Sequence, residues 1–283
     1  MEGSVRNLGK ENILGILIDA VDYEAAVDYI LRAARERRFA AISALAVHGI
    51  MTGVLDPEYK FRLNHFDLLV PDGQPVRWAL NWLYGAKLRD RVYGPSLMLK
   101  VCAAACAEGE SIYLYGASTE IVSSLKRSLE RRFQGITIAG AEPSKYRTLA
   151  PEEKAALVDR IVASGASITF LGLGCPRQEV FASELRTDLS MPVMAVGAAF
   201  PFLAGVISQA PVCMQDRGLE WLFRLWSEPK RLWRRYLYLN PAYLFLLTMQ
   251  MLRIVRFSTR EDAPDNPPWV VLRALRTICR SLQ

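Results

Sequence analysis

The stretch that decides the fold is SITFLGLGCPRQEVFASELRTDLSMPVMAVGAAF, residues 167–200. An apolar run opens it, a glycine-bearing turn and a segment of helical length follow, and a second apolar run closes it. This order predicts two parallel strands joined by a crossover helix. Because parallel strands are buried on both faces, the stretch indicates an α/β fold.

The same alternation of strands and helices extends outward, from about residue 12 to residue 200. It predicts a mostly parallel, Rossmann-like sheet with helices on both faces, and we expect this core to occupy residues 1–205. In such sheets, ligands bind beyond the carboxyl ends of the strands. The other apolar runs that predict strands include NILGILIDAV (12–21), FAAISALAV (39–47), FDLLV (66–70), SIYLYG (111–116) and GITIAG (135–140).

The composition sets the class of protein. The chain has 283 residues, of which 51% are hydrophobic, so it can form one large domain with an appendage. Disorder over most of its length is excluded. The first twenty residues contain no long apolar segment, and we therefore expect a cytoplasmic protein.

After about residue 205 the alternation stops, and tryptophans interleave with arginines in RLWSEPKRLWRRYLYL (224–239), where much of the net charge of +6 lies. We expect a basic helical appendage over 206–257 and a polar tail over 258–283. Aromatic rings and arginines favour a membrane surface, whereas a solvated basic face and nucleic-acid binding are the alternatives. Nucleic acid has no use for the apolar run YLFLLTMQML (243–252), so we expect no such partner.

Two glycine-bearing turns follow predicted strands, YGAS (115–118) and LGLGCPRQE (171–179). Backbone N–H groups at a strand-to-helix turn can hold a diphosphate, helped by the helix dipole. Neither turn fits the GxGxxG or P-loop pattern, and glycine can equally serve the tight turn alone. Two such turns in one sheet favour a nucleotide ligand.

A single carboxylate, Asp72, ends the predicted strand in VPDG (70–73), where ligands bind in this architecture. A carboxylate near arginines can act as a general base or orient a sugar hydroxyl, and a guanidinium can neutralise a leaving diphosphate. A solvated turn aspartate is the alternative. The arginines that follow within twenty residues are Arg77, Arg89 and Arg91.

The chain has two histidines. His48 follows a predicted strand and lies at the same sheet edge as Asp72, whereas His65 precedes a strand and is expected to be structural. No Asp-x-Asp pattern or His/Asp/Glu set predicts a metal site, so we expect chemistry without a divalent ion or other cofactor, in which arginines neutralise the charge. The lack of a GxSxG elbow argues against a hydrolase.

Five motifs together resemble the WecG/TagA/CpsF glycosyltransferases from about residue 12 to residue 256: VPDG, LRDRVYG, LGLGCPRQE, AVGAAFPFLAG and QAPVCMQDRGLEWLFRLWSEPKRLWRRYL. The resemblance implies an inverting, metal-independent transfer from a UDP-sugar to a polyprenyl-diphosphate-linked saccharide, on a Rossmann-like core of the type called GT-E. It implies that Asp72 is the base and that Arg91, in the family's ERV position, is a second catalytic residue. It also implies that the appendage closes over the site and binds the acceptor's diphosphate through Arg224, Arg231 and Arg234.

We expect His48 to contact the acceptor, with a satisfied surface histidine as the alternative. The residues expected to bind the donor lie in the motif blocks or at the ends of predicted strands: Ser43, Gly116, Gly172, Gly174, Gln178, Glu179 and Gly197.

One departure bears on the donor. The family strand usually reads Thr-x-Asn-x-x-His, and this chain has Ser43, Leu45 and His48, so an apolar side chain replaces an amide. We expect glucose or another hexose, with an N-acetylmannosamine type as the alternative.

The resemblance implies peripheral attachment to the inner face of the cell membrane and a role in surface polysaccharide or exopolysaccharide synthesis. A homo-oligomer is a further possibility. A non-catalytic nucleotide- or lipid-phosphate-binding protein of polysaccharide assembly is the rival interpretation.

Overall fold

The computed structural model describes residues 6–211, 213–214 and 217–259, without the side chains of Arg231, Arg234 and Arg235. The tail expected over 258–283 therefore lies almost wholly outside the described residues. The strands are β1 (Asn7–Ile13), β2 (Ile16–Val21), β3 (Ala40–Leu45), β4 (Leu68–Pro71), β5 (Ser111–Gly116), β6 (Thr137–Glu142), β7 (Ile168–Gly172) and β8 (Pro192–Ala195). The helices are α1 (Tyr23–Arg35), α2 (Val47–Leu55), α3 (Pro57–Asn64), α4 (Gln74–Tyr84), α5 (Gly94–Glu108), α6 (Thr119–Arg132), α7 (Pro151–Ala163), α8 (Arg177–Glu184), α9 (Ala199–Leu203), α10 (Glu220–Ser227) and α11 (Pro229–Met251).

Six strands form one parallel sheet in the order β4-β3-β8-β7-β5-β6. Apolar side chains from both faces of these strands fill two cores, one beneath each layer of helices. The predicted α/β, Rossmann-like class is confirmed.

The strand order reverses between the neighbouring strands β3 and β8. The helices that follow these two strands belong to different layers. The helix that follows β3 packs into one core, together with α3, α4, α7 and α8. The helix that follows β8 packs into the other core, with α1, α5 and α6. Since the chain leaves neighbouring strands toward opposite faces, a crevice opens at their carboxyl ends. The candidate site lies along this edge.

The prediction of one strand over residues 12–21 was wrong. The chain reverses at Leu14 and Gly15, which have φ values of 54° and 90°, and it forms the antiparallel hairpin of β1 and β2. Glycine accepts such a φ without a steric penalty, and the side chain of Asn12 accepts a hydrogen bond from the Gly15 N–H at 2.7 Å. A single glycine within an apolar run thus marks a turn.

Helix α11 lies against the core along one side, where Leu239, Tyr243 and Leu246 are buried. The Tyr243 hydroxyl donates to the Pro75 carbonyl at 3.3 Å. Gln250 accepts from the Leu14 N–H at 3.0 Å and donates to the Asn12 carbonyl at 2.7 Å. Helices α10 and α11 both fall within the appendage predicted over 206–257, whose status as a separate unit stays a prediction. No helix in the described part of the chain has the length and apolar character to span a bilayer.

Candidate functional site

Asp72 lies directly after β4, at the edge of the sheet where the strands end. Its backbone N–H donates to the Leu45 carbonyl at 3.2 Å. The next residue, Gly73, has a φ of 94° and turns the chain into α4, a conformation that glycine adopts readily. The junction of strand, turn and helix therefore fixes the carboxylate at the crevice.

Charges from two distant segments surround the half-buried side chain of Asp72. Burial raises its pKa to about 7, and the negative charge of Glu220 acts in the same direction. The charges of Arg91 and Arg224, and a hydrogen bond from the Gly94 N–H, lower the pKa. A carboxyl group with this pKa can accept a proton near neutral pH, as a general base must.

Arg91 reaches the site from the loop between α4 and α5. Its Nη2 donates to Glu220 Oε2 at 2.5 Å, and the two residues are only 7% and 9% exposed. The guanidinium lies over the Tyr93 ring, 4.3 Å from its centroid, and the Tyr93 hydroxyl also bonds to Glu220. Burial raises the pKa of Tyr93, which keeps the hydroxyl protonated as a donor. These contacts tie α10 to the loop that carries Arg91.

Arg224 lies one helical turn after Glu220 on α10. Its guanidinium lies 5.8 Å from the centroid of the Phe202 ring. Its Nε is buried and has no hydrogen-bond partner within the described part of the chain. Leaving a buried donor unpaired costs free energy, and an anionic oxygen would relieve that cost.

A second group of predicted residues forms one network at the ends of β3, β7 and β8. Ser43 Oγ donates to Glu179 Oε1 at 2.9 Å, and Gln178 Nε2 donates to the same oxygen at 2.8 Å. Gln178 Oε1 accepts from the Gly174 N–H at 3.1 Å. A Cβ on Gly197 would come within 2.8 Å of that Oε1, so glycine lets the amide pack beneath the turn.

The three side chains of this network are almost wholly buried. Burial raises the pKa of Glu179, while hydrogen bonds from Gln178 and Ser43 lower it. Buried and mutually bonded groups rigidify their surroundings. The network therefore forms a floor that holds the backbone of Gly174 and Gly197 beside the crevice.

Gly116 and Gly172 face each other across β5 and β7. A Cβ on Gly116 would lie 2.5 Å from the Gly172 carbonyl carbon, and a Cβ on Gly172 would lie 2.5 Å from the Phe200 ring. Close packing alone therefore requires glycine at both positions. A Cβ on Gly174, by contrast, would meet no atom within 4 Å. The nucleotide-binding role of all three glycines stays a prediction.

A cavity of about 170 Å³ lies beside these turns. Arg177 braces it by donating to the carbonyls of Tyr146 and Leu173, both at 3.1 Å. Tyr146 has a φ of 54°, a strained value for a residue other than glycine that often marks a functional site. Aromatic and aliphatic side chains dominate the lining, which includes Tyr115, Tyr146, Leu173, Pro176 and Phe181.

The two histidines lie on neighbouring helices. His48 lies in the first turn of α2, at the same edge as Asp72. His65 ends α3, where its ring packs against Phe61. Arg231 and Arg234 lie in α11, and their side chains are outside the described residues. Within the part of the chain that the structure describes, no three His, Cys, Asp or Glu residues form a group that could hold a metal ion.

Sequence reasoning missed three participants, namely Tyr93, Gly94 and Glu220. Tyr93 and Gly94 stand in the motif LRDRVYG, and Glu220 stands in GLEW, so the signal was their place in motifs that already held a site residue. It also missed the cavity loop around Tyr146, for which the sequence carries no chemical motif.

The comparison with known families places this geometry in context. A family model described as "Glycosyl transferase WecG/TagA/CpsF family" matches residues 11–256. The match includes both residue groups at the crevice as well as α10 and α11.

Proposed function

The chain belongs to the WecG/TagA/CpsF family of glycosyl transferases, and we propose that it moves a hexose from a UDP-sugar to a polyprenyl-diphosphate-linked saccharide with inversion. Membership of the family supports a glycosyl transferase of cell-surface polysaccharide synthesis, a class that in general uses a sugar-nucleotide donor and a lipid-linked acceptor. The finer assignments rest on the residues at the crevice.

The proposed base is Asp72. It takes the proton from the acceptor hydroxyl while that oxygen attacks the anomeric carbon on the face opposite UDP. The new carbon–oxygen bond forms as the bond to the β-phosphate oxygen breaks, and the electron pair leaves with UDP. The observation that carries the proposal is the carboxylate at the strand end, whose pKa burial raises to about 7 beside two guanidinium groups.

Arg91 and Arg224 are the residues that we propose to bind the acceptor's diphosphate. Both influence Asp72 by their charge, so a diphosphate that they bind would lie next to the base. The buried Nε of Arg224 supports an anionic ligand at this point. From the resemblance, we extend the diphosphate site to Arg231 and Arg234, and we propose that charge neutralisation requires no metal ion.

The floor of Ser43, Gln178 and Glu179 is proposed to support the donor. The N–H groups of Gly174 and Gly197 are bonded within the protein, to Gln178 Oε1 and to the Leu171 carbonyl. A phosphate bound here would therefore take its hydrogen bonds from other N–H groups of these turns. The cavity near Tyr146 suits a flat uracil, because its aromatic rings offer stacking surfaces. The preference for glucose or another plain hexose over the N-acetylmannosamine type rests on the sequence alone, where Leu45 replaces the family's amide. In the structure the Leu45 side chain is 1% exposed and packs in the core.

The acceptor's lipid requires a membrane surface, and we propose that the exposed sides of α10 and α11 provide the contact. Trp226 is 87% exposed and Leu237 is 59% exposed. Tryptophan favours the headgroup layer, and the arginines of 224–235 favour anionic phosphate. We therefore propose peripheral attachment, and we take the inner face of the cell membrane from the family resemblance.

The test is a product analysis. The full chain is incubated with UDP-glucose, UDP-N-acetylmannosamine and other UDP-sugars, together with a prenyl-diphosphate saccharide, and the product is weighed by mass spectrometry. We expect the acceptor to gain one hexose, and the Asp72→Asn variant to bind UDP without transferring sugar. Binding of UDP-sugars by the wild type without any transfer would favour the non-catalytic rival and overturn the proposal.

A further inference from the structure

Glu220 brings a second carboxylate to the crevice, from a segment 129 residues further along the chain than Arg91. In the transfer reaction proposed above, Glu220 neither forms nor breaks a bond. An acid that enters an anion-binding site would by itself repel a diphosphate, so its presence requires a physical reason.

The contacts of Glu220 supply that reason. Its carboxylate accepts from Arg91 at 2.5 Å and from the Tyr93 hydroxyl, and the Arg91 guanidinium lies over the Tyr93 ring. Arg91 is thereby held in one orientation while its charge still acts on Asp72. Since a buried arginine has several rotatable bonds, such a clamp removes conformational freedom that binding would otherwise have to restrict.

We propose that Glu220 is a positioning residue, which holds Arg91 and Tyr93 beside Asp72 and so makes the catalytic arrangement depend on the docking of α10. This inference rests on the proposed function. A chain in which α10 leaves the core loses this clamp together with Arg224.

The position of Glu220 has a consequence that a purely structural ion pair lacks. The groups that face Asp72 are Arg91 and Tyr93 from the loop before α5, Glu220 and Arg224 from α10, and Tyr23 from α1. Burial raises the pKa of both tyrosines above its ordinary value, so neither ionises near neutral pH. Removing the negative charge of Glu220 therefore lowers the pKa of Asp72, because less repulsion opposes its ionisation.

The experiment compares full-length Glu220→Gln with the wild type in kcat/KM for transfer from pH 5 to pH 9. We expect the acid limb of the profile to move toward lower pH by about 0.5–1 unit, and kcat to fall roughly tenfold as Arg91 loses its clamp. Glu130→Gln, an exposed residue on α6, is the matched control and should overlay the wild-type profile.

A second variant keeps the test decisive if Glu220→Gln folds poorly. Glu220→Asp retains the charge but shortens the reach, so we expect a lower kcat with the acid limb at its wild-type position. An unmoved acid limb in folded Glu220→Gln, or a moved one in Glu220→Asp, overturns the inference while the loss of transfer in Asp72→Asn still supports the proposed function. Full transfer by Asp72→Asn would overturn the proposed function and this inference with it.

Discussion

Gly94 donates its backbone N–H to the carboxylate of Asp72, which joins the first residue of α5 to the end of β4. A Cβ at Gly94 would lie 3.2 Å from Ala44 Cβ and 3.9 Å from Asp72 Oδ2. A side chain at this position would press on β3, so the absence of one lets α5 begin close to the strand. The amide thus approaches the proposed base closely enough to stabilise its ionised form.

The first prediction concerns this contact. Gly94→Ala should displace the start of α5 by a few tenths of an ångström and lower kcat/KM for transfer by about tenfold, with a loss in the free energy of unfolding of about 1–2 kcal/mol. Transfer assays and urea unfolding measure the two effects. Gly109→Ala, at the other end of the same helix with nothing within 4 Å of its Cβ, should leave kcat/KM unchanged; a similar loss there would refute the contact's role.

The second prediction is the pH dependence of transfer. Because Asp72 must be ionised to accept a proton and burial raises its pKa to about 7, kcat/KM should be constant above pH 7 and fall about tenfold per pH unit below it. Asp72→Asn should lower kcat by about a thousandfold, whereas Asp28→Asn on the exposed side of α1 should not change it. An acid limb near pH 4 would contradict the assignment.

The third prediction is that losing the base stabilises the fold. The pKa of Asp72 is about 7 in the folded chain against an ordinary 3.8, so its ionised form opposes folding above pH 7, and this cost disappears as the pH falls toward 4. At pH 8, Asp72→Asn should raise the free energy of unfolding by about 2 kcal/mol, half of the roughly 4 kcal/mol equivalent to the shift, because the group keeps some contact with solvent. Urea unfolding at pH 8 and pH 4 measures this difference, and a variant no more stable than wild type at pH 8 counts against a raised pKa.

The fourth prediction compares Gly116, where close packing requires a glycine, with Gly174, which lies in an open turn. Gly116→Ala should lower the free energy of unfolding by about 3 kcal/mol or more, because the new Cβ would overlap the backbone of Gly172 in addition to the strain of the Gly116 φ of 141°. Gly174→Ala meets open space and carries only the strain of its φ of 81°, about 1 kcal/mol. Thermal unfolding compares the two variants, and equal losses would disprove the packing role.

The fifth prediction concerns the membrane. Trp226→Ala should reduce flotation with vesicles that contain anionic lipid by roughly tenfold, and added salt should weaken binding of the wild type. Val162→Ala, another exposed apolar residue but on α7, is the control and should float like the wild type. Unchanged flotation of Trp226→Ala would locate the membrane contact elsewhere.

The sheet could be predicted from the sequence because the strands of a parallel sheet are buried on both faces and therefore consist of continuous apolar residues. Its one clear error, the strand over 12–21, arose because a hairpin of two apolar strands differs from a single long strand only by the turn at Gly15. The residues at which strands end could be predicted equally well. Asp72, Gly174 and Gly197 therefore fell at the crevice as expected.

Contacts between segments that are far apart in the sequence could not be predicted. Glu220 reads as an ordinary helical acid, and its burial against Arg91 depends on how α10 docks, which no local pattern encodes. Ser43 and Glu179 are 136 residues apart, and their hydrogen bond arises only because β3 and the helix after β7 converge at one edge. The motif blocks drew attention to these residues, and tertiary packing assigned them their neighbours.

The bond between Gln250 and the Leu14 amide joins the hairpin of β1 and β2 to helix α11, 236 residues further along the chain. During synthesis the hairpin of β1 and β2 is made before the glutamine that caps its turn, which follows 236 residues later. The protein acceptor for the Leu14 amide is therefore present only after α11 has been made. A fragment that stops before α11 would expose the part of the core that Leu239, Tyr243 and Leu246 cover, and such exposed apolar surface favours aggregation.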